Sequence, residues 1–219
     1  MHLAPDRDRY AEAIRRAADW LRGMQSRNGG FAAFDSDNTH YALNEIPFAD
    51  HGALLDPPTS DVSARCLALF GQLARTEDAT CLRRLVEYLR AEQEADGSWF
   101  GRWGTNYIYG TWSVLSALEH VSEIETGDMV RRAAEWLKSI QHEDGGWGES
   151  NDSYEDSTRG CEGDRSTAFQ TAWALLGLMA AGEGDSEAVK RGVEYLLEAQ
   201  GADGSWTDPE FTAPGFPRV

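Results

Sequence analysis

The chain has 219 residues, 41% of them hydrophobic, which is enough for one or two globular domains with a substantial core. Its formal net charge of −17 argues against a nucleic-acid partner, because phosphates require a basic surface. The longest apolar run, around residues 172–181, is about half of what a membrane-spanning helix needs. The three cysteines form neither a disulfide framework nor a metal-ligand pattern, so we expect a reducing, cytoplasmic location.

Four segments along the chain share one pattern. In each, an aromatic residue precedes a glutamine by five positions, a glycine follows the glutamine by four, and a second aromatic follows it by six. Such internal repetition is typical of a repeat architecture. The segments are WLRGMQSRNGGF (20–31), YLRAEQEADGSW (88–99), WLKSIQHEDGGW (136–147) and YLLEAQGADGSW (195–206), with glutamines Gln25, Gln93, Gln141 and Gln200 and second aromatics Phe31, Trp99, Trp147 and Trp206.

Each glutamine ends a segment with the period of an amphipathic helix. In MVRRAAEWLKSIQ (129–141), the apolar residues form one stripe and the arginines and glutamates lie opposite. Asp-Gly or Asn-Gly follows, and glycine can adopt the left-handed conformation that a helix C-terminus needs. These patterns predict helices with one exposed face.

The segments after the turns are apolar on nearly all sides, which predicts buried helices at 60–74, 106–121 and 166–182. Their predicted N-caps are Ser60 or Asp61, Asn106, and Ser166 or Thr167.

The repeating unit is therefore an outer helix, a turn and a buried inner helix. Hairpins of this kind placed side by side predict an all-α protein, an α/α toroid, with one partial barrel domain over residues 1–219. We expect Gln141 to bond backbone groups at its turn or at the start of the next helix, with its amide plane against Trp147, and Trp147 to clamp the turn between the helix layers. Contact of the four repeat aromatics with a substrate is the alternative.

The four repeats resemble the QW motifs of triterpene cyclases. The connecting segments NGGFAAFDSDN, DGSWFGRWGTNYIYGTWSVLSAL and DGGWGESNDSYED are similar in order and spacing to squalene–hopene cyclase. This resemblance implies an α6/α6 barrel that cyclises squalene or another polyprene in hopanoid or other triterpenoid biosynthesis.

The family's catalytic acid lies in a DxDD motif that this sequence does not contain. Protonating an isolated alkene requires a carboxylic acid held neutral in an apolar cavity, and aromatic faces then stabilise the carbocations. The nearest string, DSDN at 35–38, follows the first repeat, whereas the family's acid precedes it. We therefore expect the chain to be inactive alone.

Five residues match family site positions locally. The resemblance places Asp61 and Arg65 beside the catalytic acid, with Arg65 holding Asp61 in a bidentate or i,i+4 contact, and Tyr109 at a reprotonation position. Phe34 and Trp103 match cavity aromatics that bind substrate. An N-cap with a helix ion pair is the alternative for Asp61 and Arg65, and core packing is the alternative for the three aromatics.

We expect neither a cofactor nor a metal ion, since the histidines lack ligand spacing and the acidic loop 148–166 lacks the ligand pattern of a calcium loop. His51 stands where the family often has an aromatic residue. The expected partners are an apolar polyprene such as squalene and either a second copy of the chain or a missing cyclase segment. We also expect peripheral association with a membrane. The alternative function is a non-catalytic toroid that binds an isoprenoid or a protein.

Overall fold

The computed structural model describes residues 7–40, 42–43, 46, 55–154 and 156–208, and His51 lies outside them. The secondary structure of these residues is helical, apart from one isolated bridge between Trp147 and Thr167. The predicted all-α class is confirmed.

The helices form two layers. The outer helices are α1 (Arg7–Gly23), α3 (Ala79–Ala91), α5 (Gly127–Ser139) and α7 (Glu187–Ala199), and the inner helices are α2 (Ser60–Leu73), α4 (Tyr107–Leu118) and α6 (Ala168–Ala180). The inner helices pack in the order α2, α4, α6, and each contacts the outer helix that follows it in the chain. Short 3₁₀ segments lie at Thr76–Asp78, Asn151–Tyr154 and Ser157–Arg159.

The inner helices begin close to the predicted positions, but their caps differ. The N-cap of α2 is Thr59 rather than Ser60 or Asp61. Asn106 is the N-cap of α4 but makes no side-chain cap bond, whereas Thr167 caps α6 by accepting from the Gln170 N–H as predicted.

We call residues 25–31, 93–99, 141–147 and 200–206 the QW turns. In each, the glutamine Nε2 donates to the carbonyl of the glycine four residues later, at 2.8–2.9 Å. In the first three it also donates to a carbonyl of the next outer helix, at 2.8–3.0 Å. The predicted role of the glutamines in bonding backbone groups at the turn is therefore confirmed, and these turns join consecutive hairpins.

The second aromatics of the first three turns are core residues. Phe31 is 2% exposed and Trp99 and Trp147 are fully buried, whereas Trp206 in the fourth turn is 44% exposed. A hydroxyl of the following inner helix accepts from the backbone N–H of each buried aromatic, at 2.8–3.0 Å; these hydroxyls belong to Ser63, Thr111 and Thr171. The turn is thus fixed to both layers, as the clamp interpretation predicts.

Candidate functional site

Each inner helix has one stripe that the outer helices leave uncovered. The residues of these stripes are half-buried or exposed, while the rest of each helix is mostly buried. We call these stripes together the inner face. They include Val62, Arg65 and Leu69 on α2, Tyr109, Trp112 and Ser116 on α4, and Phe169, Trp173 and Leu176 on α6.

Four aromatic side chains form a continuous cluster on the inner face. The rings of Trp112 and Trp173 are stacked, with centroids 5.7 Å apart and planes inclined by 7°. Tyr109 contacts both, at centroid distances of 5.8 and 5.2 Å, and Phe169 meets Trp173 edge-on at 5.3 Å. Such a cluster presents electron-rich π faces and no charged acceptor.

Arg65 lies over this cluster. Its guanidinium carbon is 4.7 Å from the centroid of the Trp112 ring, a cation–π distance, and its Nη2 donates to Ser113 Oγ at 3.3 Å. The predicted contact between Arg65 and Asp61 does not form between these two described residues. The i,i+4 spacing allowed it, but the Asp61 carboxylate has other donors.

Asp61 is 1% exposed, and its carboxylate accepts four hydrogen bonds, three of them from backbone N–H groups. Oδ2 accepts from the N–H groups of Trp103 at 2.7 Å and Arg102 at 3.2 Å, and Oδ1 accepts from the Thr59 hydroxyl and the Val62 N–H. These bonds hold the 102–103 loop against the start of α2.

Asp56 holds the same loop from another side. Its Oδ1 pairs with Arg102 Nε at 2.6 Å, and its Oδ2 accepts from the Ala33 N–H at 2.8 Å. Phe34 and Trp103 consequently meet, with ring centroids 6.0 Å apart in an edge arrangement. Phe34 is 66% exposed, so the pair forms a partly open aromatic surface.

Tyr109 lies beside Asp61 and Arg65, two of the other predicted site residues. Its ring packs on the backbone of Gly104, where an added Cβ would lie 2.7 Å from Tyr109 Cγ. Burial and the charge of Asp61 raise the pKa of the Tyr109 phenol, while hydrogen bonds with Arg65 and Ser113 act in the opposite direction. The structure thus brings Asp61, Arg65 and Tyr109 into one cluster, with Trp103 in the adjoining loop.

The sequence reasoning assigned no site role to Trp112, Phe169 or Trp173. Their signal was the helical spacing of Trp112 from Tyr109 (i,i+3) and of Trp173 from Phe169 (i,i+4), which places each pair on one face.

The sequence analysis also missed Glu149, a buried residue of the acidic loop. Its carboxylate accepts hydrogen bonds from the N–H of the α4 N-cap residue Asn106 and from the first two N–H groups of α4, those of Tyr107 and Ile108, at 2.7–3.1 Å. Burial raises the pKa of Glu149, and these three donors oppose the increase. Glu149 supplies the cap that Asn106 does not.

Within the described ranges, no three His, Cys, Asp or Glu side chains cluster as metal ligands. None of the described helices is long and apolar enough to cross a membrane.

The two-layered helical repeat is the architecture of type II terpene cyclases. The type II terpene cyclase MstE from Scytonema superposes with a TM-score of 0.60 at 21% identity, over 94% of this chain and 54% of that one. The ent-copalyl diphosphate synthase from Streptomyces platensis gives a TM-score of 0.56 at 22% identity, over 88% of this chain and 41% of that one. At these identities the likeness shows the fold alone.

Residues 2–219 match the family model of the squalene-hopene cyclase C-terminal domain, and the chain belongs to this family. It is 56% identical over 211 residues to a probable squalene–hopene cyclase of Sinorhizobium fredii, covering 96% of this chain and 33% of that protein. It is 53% identical over 213 residues to the squalene–hopene cyclase of Alicyclobacillus acidocaldarius, covering 97% of this chain and 34% of that protein. The chain thus spans about a third of the length of these relatives.

Proposed function

We propose that this terpene cyclase domain forms part of the cavity in which squalene or a similar polyprene is cyclised to a polycyclic triterpenoid. The names of its relatives support the substrate class, and a solved type II terpene cyclase of Scytonema holds a geranylgeranyl substrate. The observation that carries the proposal is the cluster of Tyr109, Trp112, Phe169 and Trp173 on the inner face.

Cyclisation proceeds through carbocations, which water would quench. Aromatic faces stabilise a cation by about 0.5–2 kcal/mol each without offering a nucleophile. The position of Arg65 over Trp112 at 4.7 Å supports the idea that this surface accepts positive charge. We propose that the faces of Trp112 and Trp173 act in this way on the reacting chain.

We propose that the proton comes from a group other than Asp61, because both oxygens of that carboxylate already accept hydrogen bonds that position the 102–103 loop and the start of α2. Asp37 is partly exposed and bonds to Arg27, so it lacks the apolar burial that the alkene-protonating acid needs. Asp61 is then a positioning residue for the 102–103 loop.

Arg65 and Tyr109 border the aromatic cluster, where they can act on charge and protons. We propose that Arg65 stabilises the conjugate base that remains after alkene protonation, as the family resemblance implies. The raised pKa of Tyr109 keeps its phenol protonated at neutral pH, so it can donate a hydrogen bond. Because squalene dissolves in lipid rather than water, we also propose a peripheral contact with the bilayer.

A squalene analogue that carries a tertiary amine tests the aromatic surface, since the protonated amine mimics the carbocation. Titration should quench tryptophan fluorescence, and Trp112→Ala or Trp173→Ala should each weaken binding about 2- to 30-fold. Trp20→Phe is the control, because Trp20 lies on outer helix α1 and is 63% exposed. Equal affinity in the wild type and both inner-face variants would contradict the proposal.

A further inference from the structure

Phe34 and Trp103, the two aromatics of the partly open surface, belong to different repeats. Phe34 follows the aromatic of the first QW turn, Phe31, by three positions, and Trp103 follows that of the second, Trp99, by four. Both lie outside the helices, in segments that lead from a turn to the next inner helix. Their rings nevertheless meet at 6.0 Å, with planes inclined by 71°. A contact between two connecting segments requires a group that holds both.

The Asp56 carboxylate contacts the residue immediately before each of these aromatics. One oxygen, Oδ2, accepts from the Ala33 N–H at 2.8 Å. The other, Oδ1, accepts from Arg102 Nε at 2.6 Å in a charge-assisted hydrogen bond. Asp56 is 6% exposed, so water competes little for either bond. One short planar group therefore links the two segments directly.

The segment that carries Asp56 is itself fixed to the helical framework. The Thr59 N–H donates to the Phe31 carbonyl at 3.1 Å, and the Tyr88 hydroxyl donates to the Pro58 carbonyl at 2.9 Å. Two consecutive prolines follow Asp56 and restrict the backbone further, because the proline ring fixes φ. Asp56 is consequently a fixed point to which the two aromatic-bearing segments attach.

Asp61 acts on the same loop in a different way. Its bonds go to the N–H groups of the 102–103 loop and to the start of α2. Asp56 reaches the segment at Phe34 as well. The position of Trp103 relative to α2 thus depends on Asp61, and its position relative to Phe34 depends on Asp56.

We propose that Asp56 is a positioning residue for substrate binding, because it sets the distance and inclination between the Phe34 and Trp103 rings. The inference rests on the proposed function and adds to it a residue that acts through two others. A polyprene has no polar group that hydrogen bonds could orient, so the shape of the aromatic surface has to orient it. Asp56 also pairs the charge of Arg102, which would otherwise repel a carbocation at this surface.

Fluorine NMR of the chain labelled with 5-fluorotryptophan tests the positioning. Each of the eight tryptophans contributes one resonance, and the Trp103 resonance is the one that Trp103→Phe removes. Phe34→Leu should shift the Trp103 resonance in the wild-type background, since the Phe34 ring lies edge-on at 6.0 Å and contributes a ring-current shift.

Asp56→Asn should move the Trp103 resonance and abolish its response to Phe34→Leu. Asparagine keeps the size of the side chain, but its amide nitrogen cannot accept a hydrogen bond, so one of the two segments is released. Asp144→Asn is the matched control, because Asp144 also accepts from one backbone N–H and one side chain, at 3.0 and 2.7 Å, beside the third QW turn. It should leave the Trp103 resonance and its response unchanged.

Arg102→Met cuts the same bridge from the other side and leaves the Asp56 bond to Ala33 in place. It should also abolish the response of the Trp103 resonance to Phe34→Leu. Unfolding is recognised separately, because it would move all eight tryptophan resonances, whereas loss of positioning moves mainly that of Trp103. If Asp56→Asn unfolds the chain, Arg102→Met decides the question.

Binding of the squalene analogue with the tertiary amine tests the consequence for the substrate. Asp56→Asn should weaken binding about 2- to 30-fold, the loss expected for one aromatic face. In the Phe34→Leu background the same change should have little further effect, because the pair that Asp56 positions is already incomplete.

Three results would overturn the proposal. They are a Trp103 resonance that ignores Phe34→Leu in the wild type, one that still responds to it without the Asp56 bridge, and a loss of affinity from Asp56→Asn that is absent in the wild type or undiminished in the Phe34→Leu background. The NMR measurement contains no polyprene, so its failure would leave the proposed function untouched. Equal affinity in the Trp112→Ala and Trp173→Ala variants would contradict the proposed function instead.

Discussion

Gln141 and Gln200 allow the contribution of the link between repeats to be measured within one protein. Gln141 Nε2 donates to the Gly145 carbonyl in its own turn and to the Ala188 carbonyl in the next outer helix, both at 2.8 Å. Gln200 makes the equivalent bond to its own turn alone and is exposed. The two residues therefore differ by the bond that links hairpins.

A net contribution of about 0.5–1.5 kcal/mol for each hydrogen bond gives a cost of about 1–3 kcal/mol for Gln141→Ala. Gln200→Ala should cost about 0.5 kcal/mol or less, because water replaces an exposed bond readily. For a domain of this size, a loss of 1 kcal/mol lowers the melting temperature by about 2–4 °C.

Urea unfolding followed by far-UV circular dichroism measures both variants. It should be run at sub-micromolar protein, where linkage between association and unfolding is small. Equal free energies of unfolding for the two variants, or a wild-type value for Gln141→Ala, would show that the link to Ala188 does not stabilise the domain.

Three further predictions follow from the turns, the buried ion pairs and the missing acid. Gly97→Ala should destabilise the domain more than Gly204→Ala, by about 1 kcal/mol or more in chemical denaturation. Both glycines have positive φ (+103° and +84°), but only at Gly97 would an added Cβ lie 2.7 Å from the Arg132 carbonyl oxygen. Equal losses of stability in the two variants would contradict close packing of the turn on α5. Burial raises the pKa of Asp78, but hydrogen bonds from Arg75 and Arg22 outweigh burial and lower this pKa below its ordinary value. The stability that the Asp78 carboxylate adds is therefore present above about pH 4 and is lost as the pH falls below that value. The stability difference between wild type and Asp78→Asn should therefore shrink on acidification, and a pH-independent difference would refute the ion-pair explanation. Incubation of the isolated chain with squalene should yield no hopene or hopanol by product analysis, and a product that Asp35→Asn or Asp37→Asn abolished would show that a loop carboxylate serves as the acid.

The local sequence determined the repeating unit of outer helix, turn and inner helix, because this unit depends on residues that are close together in the sequence. Apolar spacing decided which helices are amphipathic. The Asp-Gly and Asn-Gly pairs do not end these helices as predicted: they begin four or five residues beyond the last helical residue, and their positive-φ glycines form the QW turns. The glutamine side chain reaches the carbonyl four residues away, so that half of its bonding was predictable from Gln141 and Gly145 alone.

Only the tertiary structure decided which residues of other repeats each repeating unit contacts. The i,i+4 spacing of Asp61 and Arg65 permitted an ion pair, but the packed 102–103 loop offers N–H groups to Asp61, and Arg65 turns to the Trp112 ring. The stacking of Trp112 on Trp173 joins residues 61 positions apart, and Arg84, Arg132 and Arg191 donate to carbonyls of the preceding QW turns 38–58 residues away. Such contacts depend on how the helices are placed, which local periodicity does not encode. The same reason explains why Trp20 and Trp206, which carry the repeat pattern as fully as their buried equivalents, are exposed.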